Sequence, residues 1–250
     1  MDITFVIPAY NEEPSLGIAL SAIEAEIGRT NAEAEIIVVD NASTDGTESV
    51  ALSHPGVRIV REMRKGIAFA RAAGLSAAKG ELIANVDADT RMPAGWLSFV
   101  LHSFEEDPSL VALSGPFIYD DLSYFEQTLW KFFYLFGYVA YLFIYRIFRV
   151  GAMLQGGNYV VRKQALEKID GYNTGFTYWA EDVDVAKRII KAGKVRWTFR
   201  LPTYASGRRI REEGIITLAF KYAVNYCWLM LFSRAYTSTH SDVREKVAKQ

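Results

Sequence analysis

The sequence predicts an α/β fold: a mostly parallel central sheet flanked by helices. Three observations carry that expectation. Short β-branched runs alternate with longer helical patterns through the first half of the chain, as consecutive strand–helix–strand units require. The run Ile36-Ile37-Val38-Val39 is apolar at every position, the mark of a strand covered on both faces. Polar residues gather just after the apolar runs, at Pro8-Ala9-Tyr10-Asn11-Glu12, Asp40-Asn41-Ala42-Ser43-Thr44-Asp45-Gly46 and Asp87-Ala88-Asp89. Those positions are the carboxyl ends of strands, beyond which open α/β sheets bind ligands.

Taken in order, strands are expected at 3–7, 35–40, 57–60 and 81–86, separated by helices at 14–27, 46–53 and 66–78. Ser43, Thr44 or Asp45 is placed to cap the second helix. A helix at 93–104 and a strand at 110–114 follow, then a turn or strand at Gly156-Gly157-Asn158-Tyr159-Val160-Val161, a helix at about 181–191 and a strand at 195–199. From Ser206 the composition changes to a basic cluster (Arg208, Arg209, Arg211), an apolar stretch at 215–232 and a polar tail. The expected organisation is a catalytic domain over 1–205, with an aromatic insertion at about 117–150, and a helical appendage over 206–250.

At 250 residues, with 50% hydrophobic and 23% charged side chains, the chain is too apolar to be disordered and long enough for a substantial core. Its 28 basic and 29 acidic residues leave a formal charge of −1, which excludes a global field for collecting nucleic acid. The single cysteine, Cys227, excludes an intrachain disulfide, and no Cys/His cluster has zinc spacing. The N-terminus lacks a basic n-region and a long apolar run, so it reads as a first strand of a cytoplasmic protein. One feature is uneven: of 5 Trp, 14 Tyr and 15 Phe, 14 lie between Phe117 and Phe148.

Asp87 and Asp89 bring two like charges together after an apolar strand, which is costly without a cation. An all-oxygen donor set suits Mg²⁺ or Mn²⁺, which complete their shells with water and substrate phosphates. A solvated turn is the plain alternative for so short a motif. The loop beginning at Asn41 imitates a calcium loop, but Leu52 stands where a bidentate Glu is needed, so calcium is rejected. Asn41-Ala42-Ser43 also matches a glycosylation sequon, accidental in a chain without a secretion signal. Glu181-Asp182-Val183-Asp184 opens a helix whose Val185, Ile189 and Ile190 form an apolar face. Acids there complement the helix dipole, or one of them is a general base. Adjacent helical residues point about 100° apart, so Glu181 and Asp182 do not share one role.

Together these stations resemble the inverting glycosyltransferases of family 2, which have the GT-A fold. The matching pieces are Val6-Ile7-Pro8-Ala9-Tyr10-Asn11-Glu12-Glu13, Val38-Val39-Asp40 through Thr47, the helix carrying Gly66, Ala70-Arg71 and Gly74, then Asp87-Ala88-Asp89, Gly156-Gly157-Asn158 and Glu181-Asp182. Each is weak alone, but the ordered set is specific. The resemblance implies a nucleotide-diphosphate-sugar donor (a UDP- or GDP-sugar) and Mn²⁺ or Mg²⁺ as cofactor. By it, Pro8, Ala9, Tyr10 and Glu12 line the nucleoside pocket, Asp40 hydrogen-bonds the base with Arg71 beside it, and Lys65-Gly66 approach the nucleotide. Asp87 and Asp89 hold ribose and metal. Gly156, Gly157, Asn158 and Glu181 border sugar and acceptor, and Asp182 is the base. Structural alternatives stand beside these: Pro8 ends a strand, and Arg71 pairs with an acid. Two departures matter. Arg196-Trp197 lacks the preceding Gln of the processive members' Gln-x-x-Arg-Trp, which favours single-sugar transfer. Many relatives place a histidine near the diphosphate, whereas His54, His102 and His240 stand elsewhere, so a third protein contact to the metal is unassigned.

Residues 132–145 carry no charge and are bounded by Lys131 and Arg146. That is short of the ~20 residues needed to span a bilayer. Two readings are open: a helix buried against the sheet, or an interfacial helix with Lys131, Arg146 and Arg149 near anionic lipid. In 215–232, Thr217, Lys221 and Asn225 recur every four residues as a polar stripe. Arg208, Arg209 and Arg211 either contact a diphosphate or lipid headgroups, or form a solvated patch. The family includes enzymes that act on polyprenyl phosphates, so the resemblance implies a peripheral enzyme at the inner face of the cell membrane with a lipid-linked acceptor. The rivals are a nucleotidyltransferase, for which the acidic 8–13 segment is unsuited as a triphosphate loop, and a catalytically silent binding protein on the same fold.

Overall fold

The computed structural model describes residues 1–148, 152–175 and 181–232. Arg149, His240 and the polar tail lie outside the described residues, as does the side chain of Arg146. The alternation expected from the sequence is observed: β1 (Ile3–Ala9), α1 (Glu13–Gly28), β2 (Ala34–Asp40), α2 (Thr47–Leu52), β3 (Val57–Arg61), α3 (Ile67–Ala77), β4 (Leu82–Val86), α4 (Trp96–Glu106) and β5 (Leu110–Ser114). The second part holds β6 (Phe117–Ile118), α5 (Tyr124–Phe148), β7 (Asn158–Arg162), α6 (Lys163–Glu167), α7 (Glu181–Ile189), β8 (Lys194–Trp197), β9 (Thr203–Tyr204), α8 (Arg208–Glu213) and α9 (Ile215–Phe232).

Among the described residues the main sheet has seven strands in the order β3-β2-β1-β4-β7-β5-β8, parallel except for β7, which runs antiparallel to both neighbours. Side-chain alternation explains its double cover. Ile3, Phe5 and Ile7 of β1 and Ile36 and Val38 of β2 join Leu16, Leu20 and Ile23 of α1 and Trp96 of α4 in one core. Val6, Ile37 and Val39 point the other way, into a core with Ala70 of α3 and Val185 and Ile189 of α7. Gly74 lets α3 press onto β1, since a Cβ there would stand 2.3 Å from a Val6 methyl.

Helix α4 starts three residues later than the sequence suggested. Gly95 takes a left-handed conformation (φ 86°), and the Glu26 carboxylate of α1 accepts the amides of Gly95 and Leu97 at 3.2 and 3.1 Å, so the cap comes from another element. A third apolar cluster joins Leu122, Trp130 and Tyr134 to Trp197, Ile210 and Leu218, so α5, α8 and α9 share one core. The polar stripe of α9 is not a single solvated face: Thr217 and Lys221 are exposed, but Asn225 is buried and donates to the Lys221 carbonyl at 2.9 Å. Among the described residues no helix is long and apolar enough to cross a membrane.

Candidate active site

The strand order changes direction between β1 and β4, and ligands of open α/β sheets bind beyond the carboxyl end of that point. Asp87 stands there. Its Oδ1 accepts from Arg71 Nη2 at 3.3 Å, and the other arm of the guanidinium pairs with Glu181 at the start of α7. Arg71 is 0% exposed and its ring-facing side lies 5.3 Å from the Tyr159 centroid. It therefore forms the floor under Asp87 and Glu181 and does not stand beside an open base pocket, which corrects the expectation; of the two readings, pairing with acids is the one observed. Gly157, at φ 81°, makes room for Asp87, because a Cβ would fall 2.1 Å from its Oδ2.

Asp182 faces the same floor. Its Oδ2 accepts the Gly156 amide at 2.9 Å and its Oδ1 the Val183 amide at 2.8 Å. Burial pushes its carboxyl above the ordinary range, opposed by the Arg71 charge and by those amides. The Gly156 strap is positioned in turn by a chain of bonds: Tyr134 Oη donates to Gln155 Oε1 at 2.8 Å, and the Gln155 amide donates to Ser114 Oγ at 2.9 Å. Asn158 departs from its expected role. It is fully buried, donating to the carbonyls of Leu201 (2.8 Å) and Pro116 (3.3 Å) and accepting from Trp96 Nε1 (3.2 Å), so it fastens the sheet and does not border a ligand.

On the other flank, Pro8 and Tyr10 are half-buried at the end of β1, while the Ala9 side chain is in the core and offers only backbone. Lys65 lies 4.4 Å over the Tyr10 ring and donates to its hydroxyl at 2.9 Å. Asp40, buried at the end of β2, accepts the Ser43 amide at 3.2 Å. Asn41 organises this flank, a role the sequence reading missed. Its Nδ2 donates to the carbonyls of Glu62 and Arg64, both at 2.8 Å, and its Oδ1 accepts the Gly66 amide at 2.8 Å, which fixes the entry to α3. Those partners stand 21–25 residues away, so no local pattern reveals them.

The third side is closed from the C-terminal part. Arg208 of α8 donates to Glu12 Oε1 at 2.6 Å and Oε2 at 3.2 Å, and lies 3.1 Å from Asp89 Oδ2. Glu12 is thus covered by Arg208 and does not line an open pocket. Arg209 hydrogen-bonds Tyr222, Arg211 turns away to Asp121 at 3.0 Å, and Arg208 reaches the carboxylates of the site.

The donor set fits a hard divalent ion. Asp87 and Asp89 supply only oxygens and keep part of their side chains open (34% and 18%). Among the described residues no three His, Cys, Asp or Glu gather to hold an ion by protein atoms alone. Mg²⁺ and Mn²⁺ are the ions that bind through one or two carboxylates and leave the other positions to phosphates and water.

A sheet with this switch point, paired acids after β4 and a strapped carboxylate at the head of α7 define the GT-A class of nucleotide-sugar folds. The chain matches the profile described as glycosyl transferase family 2 over residues 4–170, and it belongs to that family. A second profile, described as the N-terminal domain of galactosyltransferase, matches residues 146–210. An uncharacterized glycosyltransferase of Mycobacterium bovis is 39% identical over 109 residues, 44% of this chain and 46% of that protein. The undecaprenyl-phosphate 4-deoxy-4-formamido-L-arabinose transferase of Aeromonas hydrophila is 31% identical over 136 residues, 51% of this chain and 39% of that one. The chain thus spans about half the length, or less, of these curated relatives. The mannosyltransferase of Pyrobaculum calidifontis, solved with GDP-Man and Mn²⁺, superposes with a TM-score of 0.60 at 21% identity, covering 89% of this chain and 64% of that one, a likeness of fold.

Proposed function

We propose that this chain moves a single sugar from a nucleotide-diphosphate donor to a lipid-linked acceptor, with inversion at the anomeric carbon, at a membrane surface. The observation that carries the reading is Asp182, held by the Gly156 amide over the floor made by Asp87, Arg71 and Glu181. The nucleotide lies along Tyr10, Asp40, Lys65 and Gly66. Asp87 and Asp89 hold the divalent ion, which when bound acts as a Lewis acid on the departing diphosphate. The acceptor oxygen attacks the anomeric carbon from the face opposite the diphosphate, and the carbon–oxygen bond to the diphosphate breaks with its electron pair leaving on that oxygen. Asp182 takes the proton of a hydroxyl acceptor. An acceptor that is already a phosphate anion needs Asp182 only for positioning.

Three observations support a lipid-linked acceptor at a membrane surface. One relative bears the name of an undecaprenyl-phosphate transferase. An apolar cavity of about 220 Å³, lined by Phe117, Tyr119, Trp130, Tyr134, Phe199 and Pro202, lies one hydrogen-bond chain from Gly156 through Tyr134 and Gln155. The outer side of α5 also bares Phe132, Phe136 and Phe143, a stripe suited to the cytoplasmic leaflet. Asp182→Asn tests the chemistry. It is expected to abolish sugar transfer to a hydroxyl acceptor while nucleotide-sugar binding, followed calorimetrically in Mn²⁺, stays within about twofold; unchanged transfer would falsify the base assignment, and nucleotide-sugar binding without transfer by the wild type would favour a silent protein.

A further inference from the structure

The two acids after β4 each already face a cation, but the two cations differ in freedom. Arg71 is 0% exposed and locked between Asp87 and Glu181, so it has nowhere to go. Arg208 is 28% exposed and reaches in from α8, a six-residue helix outside the sheet. Its guanidinium is bidentate on Glu12 and touches Asp89 through the same Nη2, 2.6 Å from Glu12 Oε1 and 3.1 Å from Asp89 Oδ2. Glu12 is almost fully buried and also accepts from Ser15 Oγ at 2.6 Å, so it is the fixed partner and Asp89 the exchangeable one. Arg208 already stands at one oxygen of Asp89, Oδ2, so a divalent ion on the same carboxylate would sit beside the guanidinium, and two cations at one carboxylate repel each other. A diphosphate arriving with the ion offers pairs of anionic oxygens that a planar guanidinium fork engages together, as an ammonium does not.

We propose that Arg208 is a stand-in cation: it neutralises Asp89 in the empty site, yields that carboxylate to the divalent ion, and turns about Glu12 onto the donor diphosphate, coupling donor loading to the seating of α8. The proposal rests on the donor-site reading above. In it α8 is a cover whose latch is one side chain. The metal alone unlatches it, and metal plus nucleotide latches it again in a new position.

The test uses the whole chain, with Mn²⁺ alone and with UDP or GDP as probes. Titration followed by the Mn²⁺ electron paramagnetic resonance signal is expected to show Arg208→Gln binding the ion about fivefold more tightly than wild type without nucleotide. With Mn²⁺ saturating, the same variant is expected to bind the nucleotide about fivefold more weakly. Lys194→Gln removes the same charge at the far edge of the sheet and should shift neither. In wild type, amide exchange over 206–214 should speed up with Mn²⁺ alone and slow again when nucleotide is added. A merely structural arginine would weaken both ligands in the variant, and equal or weaker Mn²⁺ binding by Arg208→Gln overturns the exchange. Failure of wild type and variant to bind Mn²⁺ with either nucleotide overturns the donor-site reading and the exchange with it; normal binding without opposed shifts overturns the exchange alone.

Discussion

Asp182 is held above the ordinary carboxylate range by burial, against Arg71 and two backbone amides that favour its ionised form. That has two consequences with definite signs. In the proposed reaction Asp182 must be ionised, so the acid limb of kcat/KM for a hydroxyl acceptor should lie above the ordinary aspartate value of about 3.9. For stability, a carboxyl whose folded pKa is raised destabilises the fold above that pKa and contributes nothing below the unfolded value. Asp182→Asn is therefore expected to raise Tm at pH 7–8, with the gain shrinking as pH falls through the raised pKa towards about 4, as differential scanning fluorimetry across pH would show. The position of Asp182 near Arg71 and the Gly156 strap was legible from its place in an ordered set of motifs. The roles of Asn158 and Arg71 were not, because a motif names a residue type without saying whether its polar atoms meet a ligand or the protein. Asn158 spends both ends of its amide on Leu201, Pro116 and Trp96.

Helix α5 buries one face of the aromatic stretch and exposes the other. Its inner face buries Trp130 and Tyr134, with Trp130 edge-on to Tyr134 at 6.0 Å and Tyr134 against Trp197 at 6.0 Å. Its outer face leaves Phe132 62% and Phe136 76% exposed, with Leu135, Val139 and Phe143 along the same side. Spacings of three and four put those five on one stripe, beside exposed Lys131. An apolar stripe in water is a surface awaiting a partner. Replacing Phe132 and Phe136 together by Ser should lower co-sedimentation with phosphatidylglycerol vesicles at least about tenfold, given roughly 1.5–3 kcal/mol for each buried Phe. The Tm should hardly move, since neither ring packs in the core; retained vesicle binding would remove α5 as the membrane face. Helix α8 was foreseen only as part of a helical appendage over 206–250. Its six residues read as a basic cluster, and only its partners, Glu12 and Asp89, give it a role.

At the scale of the whole molecule, one sheet carries two cores and a third cluster closes over its edge. The site lies where all three meet: acids follow β1 and β4, α7 brings Asp182, and α8, seated on the third cluster through Ile210, brings Arg208. Ligand binding should then stabilise the chain as a unit. UDP or GDP with Mn²⁺ at about 100 times its Kd adds about 2.7 kcal/mol, which for a domain of this size raises Tm by about 5–10 °C. No shift with either nucleotide would count against the donor site.

The sequence by itself determined the sheet, its double cover and the class of chemistry. The sheet and its cover follow from the period of apolar residues, a local property of the chain, and the class of chemistry from the resemblance that its ordered motifs carry. Only the tertiary structure decided which charges meet. The partners Arg71–Glu181 and Arg208–Glu12 stand 110 and 196 residues apart, and a Coulomb pair depends on distance in space, which no spacing along the chain encodes.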